Sequence, residues 1–291
     1  MAGQTATVGP GPPSDGGLRD KDTSNKIVTS DIVTFMSYNA TGANNIKCEF
    51  VREIQQEYNV NFSAIQEHFK TVKSTAQYFS EQFSKTHTYT IPAYRLPGVD
   101  SGRGRGGLVQ LADRGLAVPR ARVAAGSPRI QAQKLTFSTC EVLWINTYFP
   151  CDPQLQNYDA TELIQTLAEV EALVTAAGNC EVILAGDINC DFRRNNMFTR
   201  TVTATQRRLG LTSVWEGRAI DHTHTHTDGT STSIIDHFVV SPRLLQLVED
   251  CGPIHRGDNL SRHTPILLSL RLGELPRRQA AAQPPSPRMP A

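Results

Sequence analysis

Residues 182–189 read VILAGDIN: a short apolar run, with Val182 to Ala185 as a strand candidate, that ends abruptly in the carboxylate Asp187 and the amide Asn189. The same ending recurs along the chain. It appears in Ser37-Tyr38-Asn39, in Ile65-Gln66-Glu67, from Trp144 through Asn146 to Tyr148, in Ile234-Ile235-Asp236-His237 and in Ser261-Arg262-His263. Strand ends of one sandwich can converge on a common rim. Carboxylates and amides gathered there form the hard-oxygen site that Mg²⁺ prefers, with water and substrate phosphate oxygens filling the remaining positions.

Further strand candidates surround this one: Ile32 to Tyr38, Phe62 to Gln66, Thr88 to Ala93, Gly107 to Ala112, Ile130 to Phe137, Val142 to Tyr148, Ile234 to Val240 and Pro265 to Leu270. Helices are expected over Ile46 to Glu57, Thr71 to Phe83 and Ala160 to Ala176. In the last, Leu163, Leu167, Val170 and Val174 make one apolar stripe. His222 to Thr227 and Thr232 to Val240 flank Asp228-Gly229, a two-residue turn signal, which predicts a β-hairpin. Short strands with helices interspersed irregularly fit an α/β layered sandwich of mixed sheets better than a strictly alternating parallel fold.

The chain has 291 residues, enough for a large buried core. Residues 1–26 and 274–291 hold eight of the 17 prolines and little apolar material, so both are expected to be disordered tails, the second Pro-rich and linker-like, around one domain over 27–273. Twenty-nine Lys and Arg against 28 Asp and Glu leave a formal +1, so bulk charge announces neither a nucleic acid nor a membrane. The longest run of apolar residues is four, as in Val142 to Ile145, which excludes a transmembrane helix and a signal-peptide core. The six cysteines show no CxxC pair, which suits reduced thiols in an intracellular, unsecreted protein, and no stable protein partner is evident.

In order, SYNATG, AIQEH, RGGLVQL, NTYFP, AGDIN, IIDHFVVS and SRHTPI resemble the signature of the endonuclease/exonuclease/phosphatase superfamily, the fold of DNase I and the apurinic/apyrimidinic endonucleases, over about residues 31–272. The stretch THTHTDGTSTSIIDHFVVS and its spacing to SRHTP look most like endonuclease domains of LINE-type non-LTR retrotransposons. The resemblance implies a four-layer α/β sandwich, two mixed β-sheets packed face to face and flanked by helices. It also implies Mg²⁺, with Mn²⁺ as a substitute, and DNA as partner. In such elements the domain is continuous with a reverse transcriptase and acts in the nucleus on genomic DNA.

By the same resemblance Glu67 matches the metal-binding glutamate and Asn39 supports that site. Asp187 and Asn189 match the pair that orients the attacking water and contacts the scissile phosphate, and Tyr148 matches a tyrosine facing that phosphate. Asp236 and His263 match an acid–imidazole pair, the carboxylate fixing the tautomer while the ring stabilises charge developing on phosphate oxygens. Asn146 is assigned to the same substrate rim. One position departs from the pattern: Arg262 stands where the family usually has Asp. Arginine there either binds phosphate through its fork-shaped guanidinium or marks a damaged enzyme.

Other motifs are weaker. Gly102, Gly104 and Gly107 formally satisfy GxGxxG, but a strand rather than a helix follows, so the reading is a turn whose Arg103 and Arg105 touch a nucleic-acid backbone. His222, His224 and His226 alternate on one strand face without acidic or Cys partners at zinc spacing, which favours a solvated hairpin strand. Arg193-Arg194 and Arg207-Arg208 read as surface charges. The expected function is therefore a Mg²⁺-dependent, DNA-nicking phosphodiester hydrolase. Its rivals are another phosphoesterase of the same fold, such as a phosphoinositide phosphatase or RNA deadenylase, and a decayed domain that only binds nucleic acid.

Overall fold

Apolar residues on a two-residue period, and one helical stripe on a 3.6-residue period, place the elements of the computed structural model, which describes residues 31–71, 74–95, 103–151, 160–216 and 224–274. The expected tails lie outside these residues apart from Glu274, which closes a 3₁₀ turn, Leu272–Glu274. His222 and Gly102 also lie outside them.

The first part of the chain supplies β1 (Ile32–Asn39), α1 (Asn45–Glu57), β2 (Phe62–Gln66), α2 (Thr75–Gln82), β3 (Thr86–Ile91) and β4 (Leu108–Asp113). Next come β5 (Arg120–Val123), β6 (Ile130–Thr136), β7 (Glu141–Tyr148), α3 (Thr161–Ala177), β8 (Glu181–Asp187), α4 (Met197–Arg208) and β9 (Thr212–Ser213). The last part holds β10 (His226–Thr227), β11 (Thr232–Ser233), β12 (Asp236–Val240), α5 (Pro242–Leu245), β13 (Val248–Pro253) and β14 (Ile266–Arg271). Two six-stranded sheets result, in the orders β13-β14-β1-β2-β4-β3 and β5-β6-β7-β8-β12-β9. Each is mixed: β1–β2 and β7–β8 are parallel, and the remaining neighbours are antiparallel.

Three apolar clusters glue four layers together. Phe35, Phe62, Trp144, Ile183, Phe238 and Leu268 fill the space between the sheets. Cys48, Val51 and Ile54 of α1 with Phe79 of α2 cover the outer face of the first sheet, and Leu163, Leu167, Val170 and Leu173 of α3 with Phe198 and Val202 of α4 cover the second. The last place of this stripe is shared: Leu173 is buried, while Val174 is half-buried and packs against the same cluster. This α/β sandwich is the fold class expected. Among the described residues no helix is long and apolar enough to cross a membrane.

Two expectations need correction. The hairpin is short, pairing only His226 with Ser233 and Thr227 with Thr232, and its turn is four residues rather than two. The Asp228 carboxylate accepts from the backbone N–H groups of Thr230 and Ser231 at 2.9 and 2.7 Å, which stabilises the longer turn. β12 then leaves the hairpin to pair with β8. Helix α4 and strands β5, β9 and β13 were not expected.

Between the sheets, the inward stripe of each central strand changes character at one end of the sandwich. In β1, Val33 and Phe35 give way to Ser37 and Asn39; in β7, Val142 and Trp144 give way to Asn146 and Tyr148; in β8, Ile183 and Ala185 give way to Asp187. β12 runs the other way and begins with Asp236 before Phe238 and Val240. The alternation that builds the core thus delivers the polar groups to one rim.

Candidate active site

Asp187 ends β8 almost wholly buried, and both of its oxygens are held. Oδ2 accepts from Asn39 Nδ2 at 2.9 Å, and Oδ1 from the backbone N–H of Asn189, also at 2.9 Å. The preceding residue has to be glycine. Gly186 pairs with Thr147 across the parallel β7–β8 ladder at φ +147°, and a Cβ there would land on the Thr147 carbonyl oxygen. Four of the five described non-glycine residues in the left-handed region, Thr41, Glu67, Phe69 and Asn189, lie in loops at this rim. Such residues cost roughly 1 kcal/mol or more each and concentrate at functional sites.

On β12, Asp236 lies directly opposite Asp187. His263 joins them: its Nδ1 is 2.9 Å from Asp236 Oδ2, and its Nε2 is 3.8 Å from Asp187 Oδ2. Burial works against a charged ring, but the Asp236 and Asp187 carboxylates outweigh it and push the His263 pKa up to about 9. The ring is therefore an imidazolium near neutrality, with Nδ1–H donating to Asp236. Burial, and then repulsion from Asp236, raise Asp187 well above the usual carboxylate range, against the pull of the His263 cation and the Asn39 donor. These three groups approach within 4.8 Å, close enough in principle for a metal ion. The Nδ1 to Oδ2 separation is nevertheless a hydrogen bond between facing atoms, which makes the trio a proton-bearing relay rather than a cage.

Beside the relay opens a cleft of about 600 Å³ lined by Glu67, Phe69, Tyr94, Arg103, Arg129 and Tyr148, among others. Glu67 follows β2 at φ +55° and meets the Tyr148 phenol, whose pKa is driven up first by burial and then by that carboxylate, so the phenol stays protonated. Arg103 stacks over the Phe69 ring at 3.6 Å, and Arg105 pairs its backbone with Tyr94 on the same wall. Sequence reading missed Arg129. Its Nη1 donates to the Tyr148 carbonyl at 3.2 Å and its Nε pairs with Glu162 at 2.6 Å; it lies at the loop end of β6, where no motif marked it.

The structure brings together Asn39, Glu67, Tyr148, Asp187, Asn189, Asp236 and His263, and their hydrogen bonds show which atoms are already engaged. The Asn39 oxygen is taken by the Thr41 N–H at 2.9 Å and hydroxyl at 3.3 Å, so Asn39 orients Asp187 and has no free oxygen for a metal. Asn146 is fully buried between the sheets, accepting from Gln66 Nε2 at 2.8 Å and donating to Gln131 Oε1 at 3.1 Å. It ties the sheets together below the rim. Asn189 donates one of its two side-chain N–H groups to the Phe149 carbonyl at 2.9 Å. Arg262 is exposed and makes no ion pair among the described residues. His226, expected in a solvated strand, is half-buried with its ring 4.6 Å from that of His263. Arg193 and Arg208 are surface charges paired with Asp191 and Glu171.

No protein-family profile and no curated protein sequence matches the chain. Solved structures do. The AP endonuclease LMAP from Leishmania major aligns with TM-score 0.64 at 16% identity over 82% of this chain and 88% of that one. The endonuclease domain of TRAS1, a telomere-specific non-LTR retrotransposon, aligns with TM-score 0.63 at 14% identity over 83% and 99%. The 3′ phosphatase NExo from Neisseria, bound to a product DNA hairpin, aligns with TM-score 0.61 at 16% identity over 82% and 99%. At such identities the likeness establishes the fold alone, one that this chain shares with AP endonucleases, a 3′ phosphatase and a retrotransposon endonuclease domain.

Proposed function

We propose that the chain hydrolyses phosphodiester bonds in DNA as a metal-dependent nicking endonuclease of the retrotransposon type. The observation that carries this reading is the buried Asp187, clamped by Asn39 and Asn189 and facing an imidazolium that Asp236 holds in place. A carboxylate with a raised pKa is suited to take a proton from water near neutral pH, and its two donors fix its direction. His263 keeps its Nδ1–H on Asp236 and presents Nε2–H toward the same spot, where it stabilises charge building on phosphate oxygens. The protonated Tyr148 phenol donates to the phosphate, and Arg103, Arg105 and Arg262 meet the backbone on either side.

Glu67 suits a divalent cation: a hard carboxylate oxygen in an open cleft, outside any ion pair among the described residues, matches the one or two protein carboxylates that Mg²⁺ takes while keeping its waters. Bound there, Mg²⁺ or Mn²⁺ would supply Lewis-acid stabilisation of phosphate charge. The retrotransposon setting, with a reverse transcriptase in the same polyprotein and action in the nucleus, belongs to this proposal, and the likeness to the TRAS1 domain supports it.

Incubation with supercoiled plasmid tests the reading. Relaxation to the nicked circle with Mg²⁺, its loss with chelator and a drop of about 10³-fold in Asp187→Asn are expected, since removing the base affects the transition state. Binding without nicking in the wild-type protein would refute catalysis.

A further inference from the structure

We propose that His226 is a positioning residue for His263, holding the imidazole against Asp236 and keeping water out of the pair. Two kinds of contact place it there. The ring of His226 lies 4.6 Å from that of His263 at 55°, and the two residues form a backbone bridge. The bridge is flanked on both sides, by Thr227 N–H on the Arg262 carbonyl at 3.0 Å and by Thr264 N–H on the Thr225 carbonyl at 2.7 Å. The neighbouring Thr225 fixes the other half of the relay. Its Oγ1 accepts from the backbone N–H groups of both Ile235 and Asp236 at 3.0 Å. The three residues Thr225 to Thr227 thus fasten the backbones around Asp236 and His263, which are 27 residues apart in sequence.

The hairpin has little stability of its own, with two residues in each strand. Its order comes from these contacts, and it returns that order to the relay. The arrangement also explains the burial of the pair, since Asp236 is 1% and His263 7% exposed although both sit at a rim. Asp236 Oδ1 has no hydrogen-bond partner among the described residues, which leaves the carboxylate's charge directed at the imidazole. Water entering from the hairpin side would compete for both groups. His226 itself stays neutral, its proton affinity lowered by burial and by the His263 cation, so its ring face meets that cation without repulsion.

The kinetic consequence rests on the phosphodiesterase reading of the same site; a spectroscopic one does not. In the full chain, proton NMR should show the hydrogen-bonded Nδ1–H of His263 as a far-downfield resonance in the wild type and in His226→Phe, which keeps a ring face. In His226→Ala the resonance should be lost to exchange. Plasmid nicking should fall in parallel, with kcat down roughly tenfold in His226→Ala, KM within about twofold, and His226→Phe within about threefold of wild type. A merely structural residue would not separate kcat from KM, nor be rescued by phenylalanine. If alanine prevents folding, His226→Gln carries the same expectation. A resonance that persists in His226→Ala with unchanged kcat, or a loss confined to KM, would overturn the proposal. Loss of the resonance in a protein that never nicks DNA would support the positioning role and refute the nuclease reading alone.

Discussion

Asp187 and Asp236 face one another as register partners on the antiparallel strands β8 and β12, and His263 lies against both. Two like charges directly opposite in a sheet are repulsive. The imidazolium is what makes the juxtaposition tolerable. Against the effect of burial, the two carboxylates hold the ring's proton above the usual histidine range, while burial, and then repulsion from Asp236, keep Asp187 above the usual carboxylate range despite the His263 cation. The same arrangement is therefore also a term in stability.

The pH dependence follows in sign. The His263 pKa is raised from 6.5 to about 9 on folding, so its contribution is fully present below pH 6.5 and is lost as pH rises through 9. The raised Asp187 acts in the same direction, favouring the folded state at lower pH. The His263 term has a ceiling of about 3 kcal/mol. Thermal melts in chelator should show Tm falling by several degrees between pH 6.5 and 9 in the wild type and a flatter profile in His263→Gln. Equal slopes in the two proteins would contradict the assigned charge.

Glu67→Gln keeps the shape of the cleft but removes the carboxylate proposed to hold Mg²⁺. Nicking should fall at least roughly 100-fold at about 1 mM Mg²⁺ and recover only in part at tenfold higher metal. A titration of rate against Mg²⁺ checks this, and full activity at the lower concentration would remove Glu67 from the metal site.

Much of this site was legible because strand alternation is a local code. Ile183, Ala185 and Asp187 share one face whatever surrounds them, and the same parity reads from Trp144 to Tyr148. Parity also explains the placement of Asn146: it lies on the face that leads to the site, but its depth below the rim depends on Gln66 of the facing sheet and Gln131 of the neighbouring strand, which claim its amide. Helix α4 escaped notice because Thr199, Thr205 and Gln206 fill buried positions that apolar residues usually mark. The burial of His226 against His263 is a tertiary contact between segments 37 residues apart, and no pattern within either segment encodes it.

Gly186→Ala tests the backbone that delivers Asp187. The added methyl would collide with the Thr147 carbonyl in the middle of the β7–β8 pair, at a φ that side-chain-bearing residues rarely adopt. Destabilisation of about 3 kcal/mol or more is expected, read as a lowered urea midpoint, together with loss of nicking at temperatures where the variant remains folded. Wild-type stability would mean that β7 and β8 are not held this closely.

Arg262→Asp introduces the aspartate expected at this position from the sequence resemblance and decides what the arginine does. Its guanidinium is exposed beside His263 and makes no ion pair among the described residues, a charge left free for a phosphate. Glu67, Asp187, Asn189, Asp236 and His263 all stand at the same rim, with Asp187, Asp236 and His263 in contact, so the geometry on which the proposed chemistry rests is complete with arginine at position 262. The variant should bind DNA more weakly, with the slope of log affinity against log salt reduced by about one, because one fewer cation displaces counterions. Nicking at saturating DNA should change little. Measuring binding at several salt concentrations alongside the Mg²⁺ dependence of nicking separates the alternatives: tighter metal use and faster cleavage by Arg262→Asp would show that the arginine marks a damaged site.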